Sequence, residues 1–112
     1  MAFVFAWRGF LSSLKERNIK FHVCAAILVI IFGIYFKLSS IEWFVILILI
    51  GLIISLEMIN TSLEELANIS RDKLRLSYNE TTRARDVSAG AVFVMSIIAA
   101  IIGIIIFLPK IL

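Results

Sequence analysis

Three long apolar stretches, two of them long enough by themselves to cross a lipid bilayer, constrain this chain more than any other feature. They cover residues 21–38, bracketed by Lys20 and Lys37, then 41–56, then 87–108, where Pro109 is expected to end the run. As helices rising ~1.5 Å per residue, the first measures ~27 Å and the third ~33 Å, against a hydrocarbon core of ~30 Å. Of 112 residues, 62% are hydrophobic and 17% charged. Soluble chains average roughly 45–50% and about 25%, so polar side chains are too few to cover a water-soluble globule of this size. One Pro and five Gly leave no room for a flexible linker or low-complexity tract. The expected fold class is therefore all-α integral membrane, a single domain over 1–112. It comprises an N-terminal amphipathic surface helix at about 2–16 and three transmembrane helices at about 20–38, 41–66 and 82–108.

The small polar residues refine this plan. Cys24, the single cysteine, lies in an apolar run and acts as a small hydrophobe, so no disulfide is expected. No basic stripe interleaved with exposed aromatics marks a nucleic-acid partner. Instead the basic residues flank the spans. Arg8, Lys15, Arg17 and Lys20 precede the first, and Arg71, Lys73, Arg75, Arg83 and Arg85 separate the second from the third, leaving only Lys37 and Lys110 for the other side. By the excess of Lys and Arg on cytoplasmic loops, the N-terminus and second connection are expected in the cytoplasm, and the protein in the cell membrane. Ser39 and Glu42 read as a capping box opening the second span, as do Ser77 and Glu80 ahead of the third, and Ser13 with Glu16. Phe3, Trp7, Phe10, Leu11 and Leu14 recur at helical spacing with Arg8, Ser12 and Lys15 turned away, the pattern of a helix lying in the interface.

The end of the second span carries the chemistry. Glu57, Asn60, Thr61, Glu64 and Asn68 all fall within about 60° of the Glu57 direction on a helix, forming one polar stripe. Measured from Trp43 at the outer boundary, Glu57 lies ~21 Å into the core, and Glu64 at ~31 Å reaches the cytoplasmic edge. An acidic side chain at such depth costs about 2.5–3.5 kcal/mol at mid-span, and marks a functional site by default. Glu16, Lys20, Arg85 and Asp86 gather at the same level, and the small residues Ser88, Ala89, Gly90 and Ala91 allow the third span to approach the stripe. These charges are expected to form one pocket open to both water and lipid. Carboxylates with an amide suit Mg²⁺ shared with phosphates, and the cations suit a polyphosphate. A deeper acid can take the proton of an alcohol dissolved in the bilayer. The combination reads as phosphoryl transfer from MgATP to a membrane alcohol. No P-loop, kinase Gly-rich loop or Cys/His cluster occurs. Glu65, about 80° from the stripe, is expected to be solvated, and His22 to be an interfacial hydrogen-bonder.

Three segments carry a family resemblance: Arg17-Asn18 through His22, Glu57-Met58-Ile59-Asn60-Thr61-Ser62-Leu63-Glu64, and Ala84-Arg85-Asp86-Val87-Ser88-Ala89-Gly90-Ala91-Val92. Together they resemble the prokaryotic diacylglycerol kinase family, and more closely its Gram-positive-type undecaprenol kinase branch. The likeness covers nearly the whole chain. It implies a homotrimer with active sites shared between subunits, an ATP-dependent lipid kinase acting on undecaprenol or diacylglycerol, and ATP and Mg²⁺ as cofactors. By that resemblance Glu57 is the general base and, with Asn60, meets the lipid hydroxyl. Glu16 and Glu64 are the metal-binding carboxylates and also nucleotide contacts. Arg85 and Asp86 belong to the nucleotide site, as does Arg8, within Ala6-Trp7-Arg8-Gly9, by a looser match. The family usually carries Asp where Asn68 stands and Lys where Arg85 stands, and has Glu-Tyr-His where this chain shows Ser77-Tyr78-Asn79-Glu80.

Two other readings stay open at the level of sequence. A small oligomeric proton-coupled transporter would explain one submerged acid, but its pathway needs polar residues through the full bilayer, and the outer halves here are Ile, Leu, Val and Phe. A catalytically degenerate family member would bind nucleotide or lipid without turnover.

Overall fold

The computed structural model describes residues 2–112, Tyr78 by its backbone alone. These form four helices: α1 (Ala2–Ser13), α2 (Arg17–Tyr35), α3 (Ser40–Lys73) and α4 (Tyr78–Ile111). The described residues contain no strand. Helices α2, α3 and α4 are long and apolar enough to cross a membrane, so this is an all-helical, multi-pass membrane fold.

The helix ends depart from expectation in ways that local chemistry explains. The surface helix stops at Ser13, because the Ser13 hydroxyl donates back to the Phe10 carbonyl at 2.7 Å and closes the last turn. That contact replaces the capping box expected between Ser13 and Glu16. Glu16 is itself the N-cap of α2, in extended conformation, with no side-chain capping bond. At the far end of α2, Lys37 takes a left-handed φ of 55°. The Leu38 amide then reaches the Gly33 carbonyl at 3.1 Å and the Lys37 amide the Ile34 carbonyl at 3.3 Å, the Schellman ending of a helix. Helix α3 runs on to Lys73, well past the hydrocarbon, and α4 begins at Tyr78, so the second connection is only a short turn. The end of α4 also differs from expectation, since Pro109 lies inside the helix. Its fixed φ is itself helical, and so near the terminus its lost N–H forfeits a single bond.

Helix α3 is the spine. Helix α4 packs along it most extensively, α2 less so, and α1 least. Lipid tails are as apolar as Leu, so burial of hydrocarbon alone does not hold such helices together. The end that carries the α2–α3 turn, expected to lie outside, is secured by polar and close-packed contacts instead. Ser39 and Glu42 form the expected capping box: the Ser39 amide donates to Glu42 at 3.0 Å and the Glu42 amide to Ser39 Oγ at 3.2 Å. The other Glu42 oxygen accepts from Lys110 Nζ at 2.9 Å, tying the start of α3 to the end of α4. Beside this tie Leu38, Ile46 and Ile106 are buried, with Trp43 and Phe107 packed against them.

Gly33 lets that cluster close, since the Trp43 ring and Leu38 lie where a side chain would project. A Cβ there would stand 2.7 Å from Trp43 Cη2 and 3.0 Å from Leu38 Cδ1. Gly33→Ala is therefore expected to destabilise the fold by about 1–3 kcal/mol, as overpacking does, read as a lower thermal midpoint in detergent. Gly51→Ala, where nothing lies within 4 Å of the added carbon, should leave the midpoint unchanged or raise it.

Candidate active site

The polar stripe forms because α3 continues unbroken through the segment where its sequence changes from Ile and Leu to Glu, Asn and Thr. Glu57 and Asn60, three residues apart, share a face and are almost fully buried, at 3% and 4% exposure. From Asn60 a chain of bonds runs to both sides. Its Nδ2 donates to Glu64 Oε1 at 3.2 Å, and its Oδ1 accepts from the Ser88 hydroxyl of α4 at 2.6 Å. One turn further, Arg85 Nη1 donates to Asn68 Oδ1 at 2.8 Å. The two residues that depart from the family's usual Asp and Lys are thus partners of one another. An Arg–Asn bond keeps the cation fixed without a second acid.

Glu57 is placed differently. Its Oε2 lies 3.7 Å from His22 Nε2 of α2. Its Oε1 is buried with no hydrogen-bond partner among the described residues. A buried carboxylate oxygen left unpaired carries the full cost of desolvation, about 1–3 kcal/mol or more for a charged group. Such an acceptor, held open at the foot of a span, is ready for a donor from outside the chain.

Above His22, between α2, α3 and α4, an apolar cavity of about 360 Å³ extends toward the outer end. Ala25, Ala26, Ala99, Ala100 and Gly103 contribute to its walls, and Phe107 lies at its outer end. Small side chains on the facing helices leave this space, where larger ones would fill it.

The expected single pocket is divided in one chain. Glu16 does not join Glu64. It lines a separate cleft of about 290 Å³ between α1 and α3, with Ser12, Thr61, Ser62 and Glu65. The reason is helical phase. Met58, Thr61, Ser62 and Glu65 lie on the order of 100° around α3 from the face of Glu57, Asn60 and Glu64, at 3.6 residues per turn. Thr61, read as part of the stripe, faces this cleft, and Glu65 is exposed at its rim. Lys20, Arg8 and Asp86 are all exposed, Arg8 on α1 beside the cleft residue Gly9. Among the small residues at the foot of α4, Ser88 is buried against the stripe, whereas Gly90 has nothing within 4 Å of its Cβ position. The close approach is therefore made by one serine and not by the whole run.

Two residues of this site were read from the sequence in other roles, Ser88 as one of a run of small residues and His22 as an interfacial hydrogen-bonder. Ser88 stands three residues after Arg85, on the same face of α4, a spacing that could have signalled it. His22 is a polar ring in the first turn and a half of an otherwise apolar helix. Its sequence position carried the signal of a boundary residue, and only the packing of α2 on α3 gives it Glu57.

Comparison with known proteins identifies relatives across nearly the whole chain. A profile of prokaryotic diacylglycerol kinase matches residues 4–107. The chain is 44% identical over 110 residues to the undecaprenol kinase of Bacillus subtilis, covering 97% of this chain and 87% of that protein. It is 31% identical over 114 residues to a diacylglycerol kinase of Synechocystis, covering 63% of that longer protein. No solved structure matches at a significant level. A polar stripe buried at the foot of three spans, and a match across nearly the whole chain, place this protein in the prokaryotic diacylglycerol kinase family of membrane lipid kinases.

Proposed function

We propose that the protein phosphorylates the hydroxyl of a membrane lipid alcohol, undecaprenol in preference to diacylglycerol, using MgATP at the cytoplasmic face of the cell membrane. The observation that carries this reading is Glu57: an almost fully buried carboxylate, one oxygen unpartnered, at the level where lipid hydroxyls and cytosol meet. Diffusion within the bilayer brings the alcohol to it, and the apolar cavity beside α2 suits a hydrocarbon tail. The preference for undecaprenol rests on the higher identity to the kinase of that name.

The steps follow from the placement of the side chains. Glu57 Oε1 accepts the hydroxyl proton as the lipid oxygen attacks the γ-phosphorus. The new O–P bond forms as the bond to the bridging oxygen of ADP breaks, and the electron pair leaves on ADP. Asn60, fixed by Ser88 and Glu64, orients the reacting hydroxyl, and this positioning supplies much of the rate. Among the described residues no three His, Cys, Asp or Glu side chains form a metal cage. That fits Mg²⁺, which binds through one or two carboxylates and the phosphates it accompanies. Glu64 and Glu16 are the proposed carboxylates, and Arg85, Asp86 and Arg8 the proposed contacts of the nucleotide.

Glu16 and Glu64 face different flanks of α3, so one chain alone does not bring them to the same ion. A homotrimer, in which the α1 cleft of one copy completes the stripe of the next, reconciles their roles. Active sites shared between copies also suit a chain whose helices leave so much apolar surface uncovered.

With purified protein, MgATP and a panel of lipid alcohols, phosphate transfer to undecaprenol is expected to exceed that to diacylglycerol. Transfer to neither would sink the proposal. Glu57→Gln should lower kcat by roughly 10²–10⁴-fold, the usual worth of a general base, while MgATP binding stays intact. Glu64→Gln should instead raise the KM for MgATP by about tenfold or more, because a charge-assisted ligand is worth roughly 1.5–3 kcal/mol. The reverse pattern would exchange the two roles.

A further inference from the structure

The reaction leaves a proton on Glu57 that must depart before the next turnover. Glu57 is 3% exposed and touches no other acid or base of α3 or α4 in the described structure. Its one titratable neighbour is His22, whose Nε2 stands 3.7 Å from Oε2. The two carboxylate oxygens therefore have distinct surroundings: Oε1 is open toward substrate, and Oε2 is turned to the imidazole. The His22 side chain is 17% exposed where that of Glu57 is 4%, so the ring bridges the buried acid and more accessible space. Phe21, packed edge-on at 5.5 Å, holds the ring from its own helix.

We propose that His22 is the positioning residue and proton outlet of Glu57. The imidazole, with Nε2 unprotonated, stands beside the carboxylate as Oε1 receives the hydroxyl proton. The protonated carboxyl then turns about its Cγ–Cδ bond, bringing the proton-bearing oxygen to the imidazole side, and closes the 3.7 Å gap to pass that proton to Nε2. The resulting imidazolium releases the proton on Nδ1 to water at the cytoplasmic side. The carboxylate and the neutral ring are both regenerated, in the opposite tautomer, which a ring turn or proton exchange with water restores. One proton leaves per lipid phosphorylated, with no other reactant. Among the described residues lining the cavity beside the ring, on α2, α3 and α4, none other is ionisable. The α4 residues that share its cavity, Ser96, Ala99, Ala100, Gly103 and Phe107, are not ionisable. On α2 itself, Lys20 and Cys24 are exposed. This assignment rests on Glu57 being the proton acceptor, and its test separates the two claims.

The test uses the full chain reconstituted with MgATP and lipid alcohol, in His22→Ala, His22→Gln and Glu57→Gln variants, with and without added imidazole. His22→Gln keeps a hydrogen-bonding side chain but cannot relay a proton. Its kcat is expected to fall roughly 10²-fold, with the KM for MgATP within about twofold of the parent. His22→Ala is expected to fall at least as far and to regain activity several-fold in imidazole, a recovery that also certifies its fold. Glu57→Gln should show no such recovery. A His22→Gln enzyme with parental kcat, or a His22→Ala enzyme unmoved by imidazole, overturns the outlet while an inactive Glu57→Gln leaves the base in place. An active Glu57→Gln enzyme overturns the base assignment itself.

Discussion

A carboxylate placed below the polar boundary of a membrane must find its stabilisation inside the protein, since lipid offers none. The arrangement of the lower half of this fold answers that demand. Asn60 shares the face of Glu57 and is locked by Ser88 from one side and Glu64 from the other. His22 arrives from a different helix. The Ser88 and His22 contacts join α3 to α4 and α2, so groups that make the buried acid tolerable also dock the helices. One oxygen is left over, buried and without a partner among the described residues.

The outer half solves a different problem. There the helices have little polar material, and association depends on shape. Gly33 admits the Trp43 ring, Leu38 turns back over the end of α2, and a single ion pair between Glu42 and Lys110 closes α3 on α4. Its two charges are about a quarter exposed, as suits a pair at an interface rather than in hydrocarbon. The chemistry is thus confined to one end of the bundle and the clamp to the other.

Much of this was legible in the residues. The spans follow from hydropathy, the box at Ser39 and Glu42 from capping chemistry, and the stripe from 3.6-residue periodicity, because each is a local property of one helix. Partners across helices were harder. Glu16 and Glu64 stand at similar depth, but depth does not fix azimuth, and the short turn at 14–16 brings Glu16 to the Glu65 flank. His22 looked like a boundary residue because nothing in α2 announces what it faces. Gly90 suggested close approach, yet Ser88 makes it, since their offset of two residues is about 200° of rotation. Pro109 signalled a stop, but a proline so near a terminus removes too little to enforce one.

The unbroken length of α3 has a consequence for the membrane itself. Thirty-four residues make a rod of ~51 Å, longer than the ~30 Å hydrocarbon layer, and its outer end is pinned by a charged pair that resists being dragged into lipid. The depth of the acid is then set by distance along a stiff shaft from that pin. Bilayer thickness then sets where along the shaft the far water boundary falls, each added ångström of hydrocarbon moving it further past the same side chains. A lipid mixture can thereby tune how readily a water-borne donor and an oil-borne acceptor meet, without altering a residue.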